Sequence, residues 1–474
     1  MPPQLALFVG ICFSAWLFWR DMRERRAGSP ALLIPGLWLA ILGSRPLGYW
    51  FGMGATNKVE GSPFDRVVFL VLVLAAGLVL LRRGVDLAGV VSKNKALSLI
   101  YLYLLFSTLW SYYPMVSFKR WTKMLGCLLM ALILLTETDP VESIRIVFVR
   151  CAYVLFPLSV VAAKYYPDTG RLLTRSWENM ITGLTEHKNT LGQVVMVFGF
   201  MVVWDFIETR KRESGSALMR LNLNHIGTLL PGLWLFVKCN SQTTVVCVIL
   251  GAVILWGGGR LLEMASPKRA LAYCLVALGC LGGLEVAFGI SDQIVQALGR
   301  DVSLTGRTEI WATVREQHVN PWIGSGFYGF WDRPDSSEML DYIQSGFTTA
   351  HNGYLEMYLD GGLLGVALLC TVLATGIRRV TQRLLSGTFW GRVGFMYITI
   401  ELIYNCSESD YFRLEPLWVT FLLVTIECSR RLPHAIAVSE RFAKPSEPLV
   451  SAIEVAEPYK MGSRSEEAYG SRTA

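Results

Sequence analysis

Charge is scarce in this chain: Asp, Glu, Lys and Arg together make up only 17% of its 474 residues. A water-soluble globule of that length needs far more polar surface, so a soluble enzyme or binding module is excluded. Paired cysteines are missing too. The 10 cysteines include no C-x-x-C and no histidine spacing suited to a metal, and most (Cys127, Cys151, Cys247, Cys274, Cys280 and Cys370) sit inside apolar runs. They read as apolar filler, although Cys239 and Cys406 fall near outward ends of spans and could pair in an oxidising compartment. There is no fixed-period repeat. No basic region precedes the first apolar run, Gln4 to Trp19, and no small-residue cleavage site follows it, so it reads as a retained first span whose start faces outward.

What is present is apolar length. Hydrophobic residues make up 53%, with 15 Trp, and the mean hydropathy is +0.41. Val67 to Leu81, Ala96 to Leu109, Ile146 to Ala163, Val194 to Phe206, Val245 to Trp256 and Ala270 to Ile290 are apolar on all sides without alternation. In lipid, such runs are helices that satisfy their own backbone groups. The chain therefore reads as an all-α polytopic bundle of about 12 or 13 spans, several of them shorter than the ~20 residues an untilted crossing needs. Basic clusters occupy alternate short loops: RDMRERR (20–26), Arg82 and Arg83 with Lys93 and Lys95, TRKRE (209–213), Arg260 with Lys268 and Arg269, and IRRVTQR (377–383). The positive-inside rule puts those loops in the cytoplasm. The net charge of +7 is then topological bias plus attraction to anionic membrane lipids, with no call for nucleic acid.

Four segments are expected: transmembrane helices with short loops over 1–290, one large ordered extramembrane loop over 291–350, C-terminal helices over 351–432, and a disordered cytoplasmic tail over 433–474. The loop falls outside the cytoplasm. On that same side emerge Lys164 to Asn189, the CNSQTT turn (239–244) and the NCSESDYFRLE turn (405–415).

Residue types in these outer segments suit phosphate and proton chemistry. Arg307, in TGRTEIW (305–311), offers a planar fork of donors for phosphate oxygens, and Gly324, Gly326 and Gly329 let backbone approach a ligand. Taken alone, Arg307 could equally pair with Glu309 or cap a helix. His351, in AHNGYLEMYLDGGLLG (350–365), stands where the polar loop meets an apolar helix beginning at Asn352. Its imidazole titrates near neutral pH and could accept a proton, although a lone histidine is more often structural. The patch GLTEHKNTLGQ (183–193) holds His187, Lys188 and Asn189 at another outer helix start, where Lys188 could hold an anion or simply anchor the interface. Glu408, within S-E-S-D (407–410), reads as a carboxylate orienting a basic partner rather than as half of a metal site. Trp311, Trp322, Phe327, Tyr328, Phe330 and Trp331 offer flat faces for sugar rings or for interface anchoring.

The combination of GRTEIW (306–311), NPWIGSGFYGFW (320–331) and HNGYLEMYLDGGLLG (351–365), preceded by EHKN and LG at 186–192, resembles the O-antigen ligase and polymerase superfamily, in particular its exopolysaccharide polymerase branch. The likeness runs from about residue 165 to 415. It implies a bacterial inner-membrane glycosyltransferase of the GT-C type, working on the periplasmic face without a metal or cofactor. Its donor would be a glycan on undecaprenyl diphosphate and its acceptor a saccharide, with a chain-length regulator as a candidate partner. Periplasmic arginines of the family hold the carrier diphosphate and a loop histidine is needed for transfer. Carried over, these match Arg307 and His351, with Arg171 as the upstream arginine and Arg175 close behind; Asn352, His187, Lys188, Asn189 and Glu408 join as binding residues. A polymerase is the leading expectation and a ligase handing glycan to lipid A core or protein the alternative. A polysaccharide transporter is the non-enzymatic alternative; it would place ionisable groups near the membrane midplane, whereas here they sit at outer ends and in loops.

Overall fold

The computed structural model describes residues 1–25, 28–54, 61–173, 179–212, 223–257, 307–333 and 349–428. The main helices are α1 (Pro3–Glu24), α2 (Leu33–Leu42), α3 (Pro63–Arg82), α4 (Lys95–Ser107), α5 (Pro114–Leu135), α6 (Pro140–Tyr165), α7 (Lys188–Arg212), α8 (Leu223–Cys239), α9 (Gln242–Ala252), α10 (Arg307–Glu316), α11 (Gly353–Leu385), α12 (Phe389–Tyr404) and α13 (Pro416–Thr425). Five of these starts carry proline (Pro3, Pro63, Pro114, Pro140 and Pro416), at a position whose N–H has no partner within the helix anyway. Among the described residues the only strands are β1 (Arg171–Leu173) and β2 (Asn179–Ile181), a three-residue antiparallel hairpin pairing Arg171 with Ile181.

Among the described residues, five helices are long and apolar enough to cross a membrane: α1, α3, α6, α7 (to Arg210) and α11. The expected spans at 67–81, 96–109, 146–163, 194–206 and 245–256 all fall on helices, whereas 270–290, the tail after Arg431 and most of the 291–350 loop lie outside the described residues. Burial separates centre from rim. The apolar windows of α6 and α7 are 72% buried, against 28% for α1 and α3. Val67, Leu70, Val71, Leu74, Leu78 and Leu81 of α3 face outward, as a lipid-contacting surface requires. The chain is a multi-pass membrane protein.

The two ends of the bundle differ in character. At one end, Asp205 of α7 is paired with Arg25, Arg145 and His225, while Asp21 holds Arg150 at 2.8 Å. His225 is thus part of a buried charge network that ties α1, α6, α7 and α8 together. The opposite end gathers the polar turns 183–188, 320–333, 349–353 and 405–415.

α11 is interrupted at Gly362, whose φ of 60° and ψ of −162° are open to glycine. The loop after α10 fits into the interruption. Pro321 and Trp322 carbonyls accept the N–H groups of Leu363 (2.8 Å) and Leu364 (3.1 Å), which the broken turn leaves without helical acceptors. A β-carbon on Gly362 would lie 2.3 Å from the Trp322 carbonyl carbon, so the contact requires glycine. Tyr103 of α4 donates to the Gly361 carbonyl at 2.6 Å, which pins the same junction from the other side.

Candidate functional site

His351 is presented on a tight turn before α11. Asn352 caps that helix, its side-chain oxygen accepting from Tyr354 N at 3.1 Å and Leu355 N at 3.0 Å, as befits an asparagine at a helix entry. His351 itself has a φ of 48°, in the left-handed region that β-carbons disfavour. The neighbouring backbone holds it there. Gly353 N is shared by the Asn405 and Glu408 carbonyls, both at 2.9 Å, and Asn352 N donates to Ser409 Oγ at 3.1 Å. Gly353 must be glycine: a β-carbon would sit 2.0 Å from Asn405 Oδ1.

This clamp carries Glu408 to the histidine. His351 Nδ1 lies 3.1 Å from Glu408 Oε2, and Glu408 Oε1 accepts from Asn189 Nδ2 at 2.6 Å. The His351 and Glu408 side chains are 23% and 9% exposed, so the pair is shielded yet reachable. Three separate segments therefore meet here: the first turn of α7, the entry of α11 and the turn after α12. Thr243 and Ser407 hydroxyls, 2.8 Å apart, bring in the start of α9. The four outer segments expected to share a face thus do converge, through 183–193, 241–244, 349–353 and 405–415.

The turn is rich in acids whose charge is held down. Burial pushes the Asp410 carboxyl up to about 7, against hydrogen bonds from the Glu401 and Gln193 side chains that pull it the other way. Burial, then the neighbouring Asp410, Glu186 and Glu408, push Glu415 well above the ordinary carboxylate range. The turn therefore carries less negative charge than its acid count implies, which lowers its repulsion of an anionic ligand.

The other expected residues are placed less centrally. Lys188 and Asn189 open α7 beside the pair, and His187 is exposed, its carbonyl accepting from Leu191 N at 3.0 Å and Thr185 Oγ1 at 2.9 Å. Arg171 stands on β1, where its Nε donates to the Ala163 carbonyl at 2.7 Å; no hydrogen bond joins it to His351 or Glu408 among the described residues. Arg307 is the first residue of α10, and its side chain, like the whole of Arg175, lies outside the described residues. The α10 segment reaches the site by packing: Trp311 Nε1 donates to the Ala350 carbonyl at 2.7 Å, and Ile310 and Val314 are buried with Phe330, Ala350 and Leu359.

A family model described as O-antigen ligase matches residues 66–370. The chain belongs to the O-antigen ligase family. Over 159 residues this family member is also 31% identical to the exopolysaccharide production protein ExoQ of Rhizobium meliloti (strain 1021), an alignment covering 31% of the chain and 36% of that protein. The match thus spans about a third of the relative's length.

Two sequence readings need correction in this family member. Phe327 and Phe330 are fully buried, so their rings fill the core and cannot stack on sugars, while Trp322 is 68% exposed. Cys239 and Cys406 are both free thiols. Sequence reasoning also missed residues that build the site. Arg413, buried, donates to Glu356 at 2.7 Å and Asp360 at 3.2 Å, with its guanidinium 3.8 Å over the Tyr328 ring. Glu356 in turn accepts from Ala350 N at 2.5 Å and Trp331 Nε1 at 3.1 Å, anchoring the residue before His351. Arg45 fastens the stretch leading to Lys188, with bonds to the Thr169 carbonyl at 2.8 Å and the Thr185 carbonyl at 3.3 Å. Its signal was available: a lone arginine at the outer end of an apolar run, against the positive-inside bias. Among the described residues no group of three or more His, Cys, Asp or Glu is arranged for a metal.

Proposed function

We propose that this protein is a polysaccharide polymerase of the bacterial inner membrane, moving a glycan from undecaprenyl diphosphate onto an acceptor glycan at the periplasmic face. The observation that carries the reading is the His351–Glu408 pair, 3.1 Å apart, assembled from three segments at the end of the bundle away from the basic loops. With Nδ1–H directed at Glu408, the basic lone pair of the ring is on Nε2. The acceptor hydroxyl attacks the anomeric carbon, its proton passes to Nε2, and the bond from that carbon to the carrier oxygen breaks, leaving the electron pair on the diphosphate. Glu408 orients the ring and offsets the imidazolium that forms.

Diphosphate is a good leaving group once its charge is neutralised, so positioning and electrostatics carry most of the reaction. Guanidinium and ammonium groups serve that purpose in this scheme: Arg307 by its planar fork, Lys188 at the start of α7, Arg171 on β1, and Arg175. Asn189 and Asn352 hold Glu408 and the helix entry, and His187 lines the approach. The partners are then a lipid-linked glycan donor, an acceptor saccharide and the surrounding lipids, with a chain-length regulator as a further candidate. Similarity to a protein named for exopolysaccharide production favours a polymerase; the family description favours the second reading, a ligase using the same donor with lipid A core or protein as acceptor. Knockout and complementation followed by sizing of surface and secreted glycans tests both. Single repeats accumulating on carrier mark a polymerase, and long uncoupled chains a ligase. In the same strain His351→Ala should abolish extension with membrane insertion intact; normal polymer length in that variant refutes the assigned base.

A further inference from the structure

Behind Glu408 lies a second acid pair that the transfer scheme does not use. Glu401, on the last turn of α12, and Asp410, in the turn that follows, are both fully buried, and their carboxyl groups adjoin each other. One oxygen of each has a donor: Asn405 Nδ2 reaches Glu401 Oε1 at 3.2 Å and Gln193 Nε2 reaches Asp410 Oδ1 at 2.7 Å. The remaining two, Glu401 Oε2 and Asp410 Oδ2, are buried and receive no N–H or O–H donor among the described residues. Neither acid forms an ion pair among the described residues. Two ionised carboxylates in that situation would repel each other and leave both oxygens without compensation, whereas a single proton satisfies both at once.

We propose that Glu401 and Asp410 share one proton between their carboxyl groups, and that this bonded pair is the positioning element holding Glu408 against His351. The mechanical link is short. Asn405, bonded to Glu401 through Nδ2, accepts with Oδ1 from Asp410 N at 2.8 Å and Tyr411 N at 3.0 Å, which shapes the turn carrying Glu408. The Asn405 and Glu408 carbonyls of that turn both accept Gly353 N at 2.9 Å, so its shape also fixes the backbone next to His351. Burial raising Asp410 to about 7 agrees with a retained proton. The titratable groups facing the pair are Cys127 of α5, Cys247 of α9, Tyr354 of α11, Tyr404 of α12, and Glu408, Tyr411 and Glu415 of the following turn. Among the described residues none of these is basic, so the proton is the pair's compensation. The consequence for activity rests on the transfer reaction proposed above; the sharing itself does not.

The sign follows from linkage. A proton held more tightly in the folded state stabilises at low pH, and that stability is lost as pH rises through the folded value. The full chain, purified in nanodiscs, is melted between pH 6 and pH 10 as wild type, Glu401→Gln, Asp410→Asn and Glu401→Leu. The wild type should lose thermal stability on the alkaline side. In Glu401→Gln and Asp410→Asn an amide N–H replaces the shared proton and cannot ionise, so the alkaline fall should move up by about one pH unit or more. Glu401→Leu should be destabilised throughout. The alkaline limb of glycan transfer should move in parallel for the two amide variants with KM for the lipid-linked donor unchanged, which a merely space-filling role would not produce. Amide variants that follow the wild-type alkaline curve, or that fail to fold while the wild type does, overturn the sharing. So does a wild type stabilised by sodium or potassium where Glu401→Gln is not, since a cation then stands where the proton was placed. Shifted melting curves in a wild type without transfer activity would sink the proposed function and leave the shared proton standing.

Discussion

Replacing Glu408 by glutamine separates its charge from its shape. Glutamine fits the same space but has one acceptor and one donor where the carboxylate has two acceptors, and both are in use: His351 at 3.1 Å and Asn189 at 2.6 Å. If the new oxygen faces Asn189, the amide N–H faces His351 Nδ1 and drives the ring proton to Nε2, removing the base. If it faces His351, two amide donors confront each other at Asn189. Loss of one hydrogen bond to a charged group is worth about 1.5–3 kcal/mol, which at about 1.36 kcal/mol per decade is a fall of roughly 10- to 160-fold. Loss of the base by tautomer adds to this, up to the 10²–10⁴ range of general-base catalysis. The double variant Glu408→Gln with Asn189→Asp restores the pattern: the carboxylate introduced on α7 accepts the glutamine N–H, leaving the glutamine oxygen for His351 Nδ1–H, and the negative charge moves one residue back. It should recover at least about tenfold over the single variant, the equivalent of one such bond regained. The assay is turnover of a synthetic lipid-linked repeat unit by membranes carrying equal amounts of each variant. A single variant as active as wild type would refute the pairing; a double variant no better than the single would refute the tautomer argument.

Arg307→Lys should remain crippled in the same assay, because an ammonium lacks the planar two-donor fork; wild-type turnover would remove the bidentate contact from the scheme. Gly353→Ala should disrupt the turn, since the new methyl carbon would meet Asn405 Oδ1 at 2.0 Å. A loss of roughly 1–3 kcal/mol is expected from such overpacking, visible as a lowered melting temperature together with lost extension, and an unchanged melting curve would contradict the clamp.

The membrane bundle was legible because lipid allows only helices with satisfied backbones, and uninterrupted apolar runs such as 146–163 have no other use. The entry of α11 was legible for a local reason: Asn352 is a capping residue followed directly by apolar helix, so the position of His351 at that junction came with it. Glu408 was read as the partner of a basic group from residue type alone; that the group is His351, 57 positions earlier, came from packing. The Glu356–Asp360–Arg413 cluster was half visible, since acids four apart share a helix face, but nothing local points across to Arg413. Glu401 and Asp410 gave no sign, because one lies in an apolar helix and the other in a polar turn, and only the fold buries both. Arg171 shows the converse. Its place in a motif says nothing of its Nε being engaged by the Ala163 carbonyl.

A histidine with left-handed backbone costs about 1–3 kcal/mol, and such a conformation persists only where the surroundings over-determine it. Here they do. Ala350 N is held by Glu356, Asn352 N by Ser409, and Gly353 N by two carbonyls, so every residue flanking His351 has its amide committed. At about 1 kcal/mol net for each of these three amides, the bonds match or exceed the strain. The two acid clusters divide this task by direction: Glu356, set by Arg413, acts from the side of α11, and the Asn405 turn, set by Glu401 and Asp410, acts from the side of α12. With the backbone fixed from both sides, the imidazole has little freedom beyond rotation about its own bonds, and Glu408 removes that. The polar residues buried at this end of the bundle are therefore best understood as the cost of aiming one ring, and the buried pairs around Asp205 at the other end, which touch none of these segments, as the fastening that keeps α1, α6, α7 and α8 from shifting beneath it.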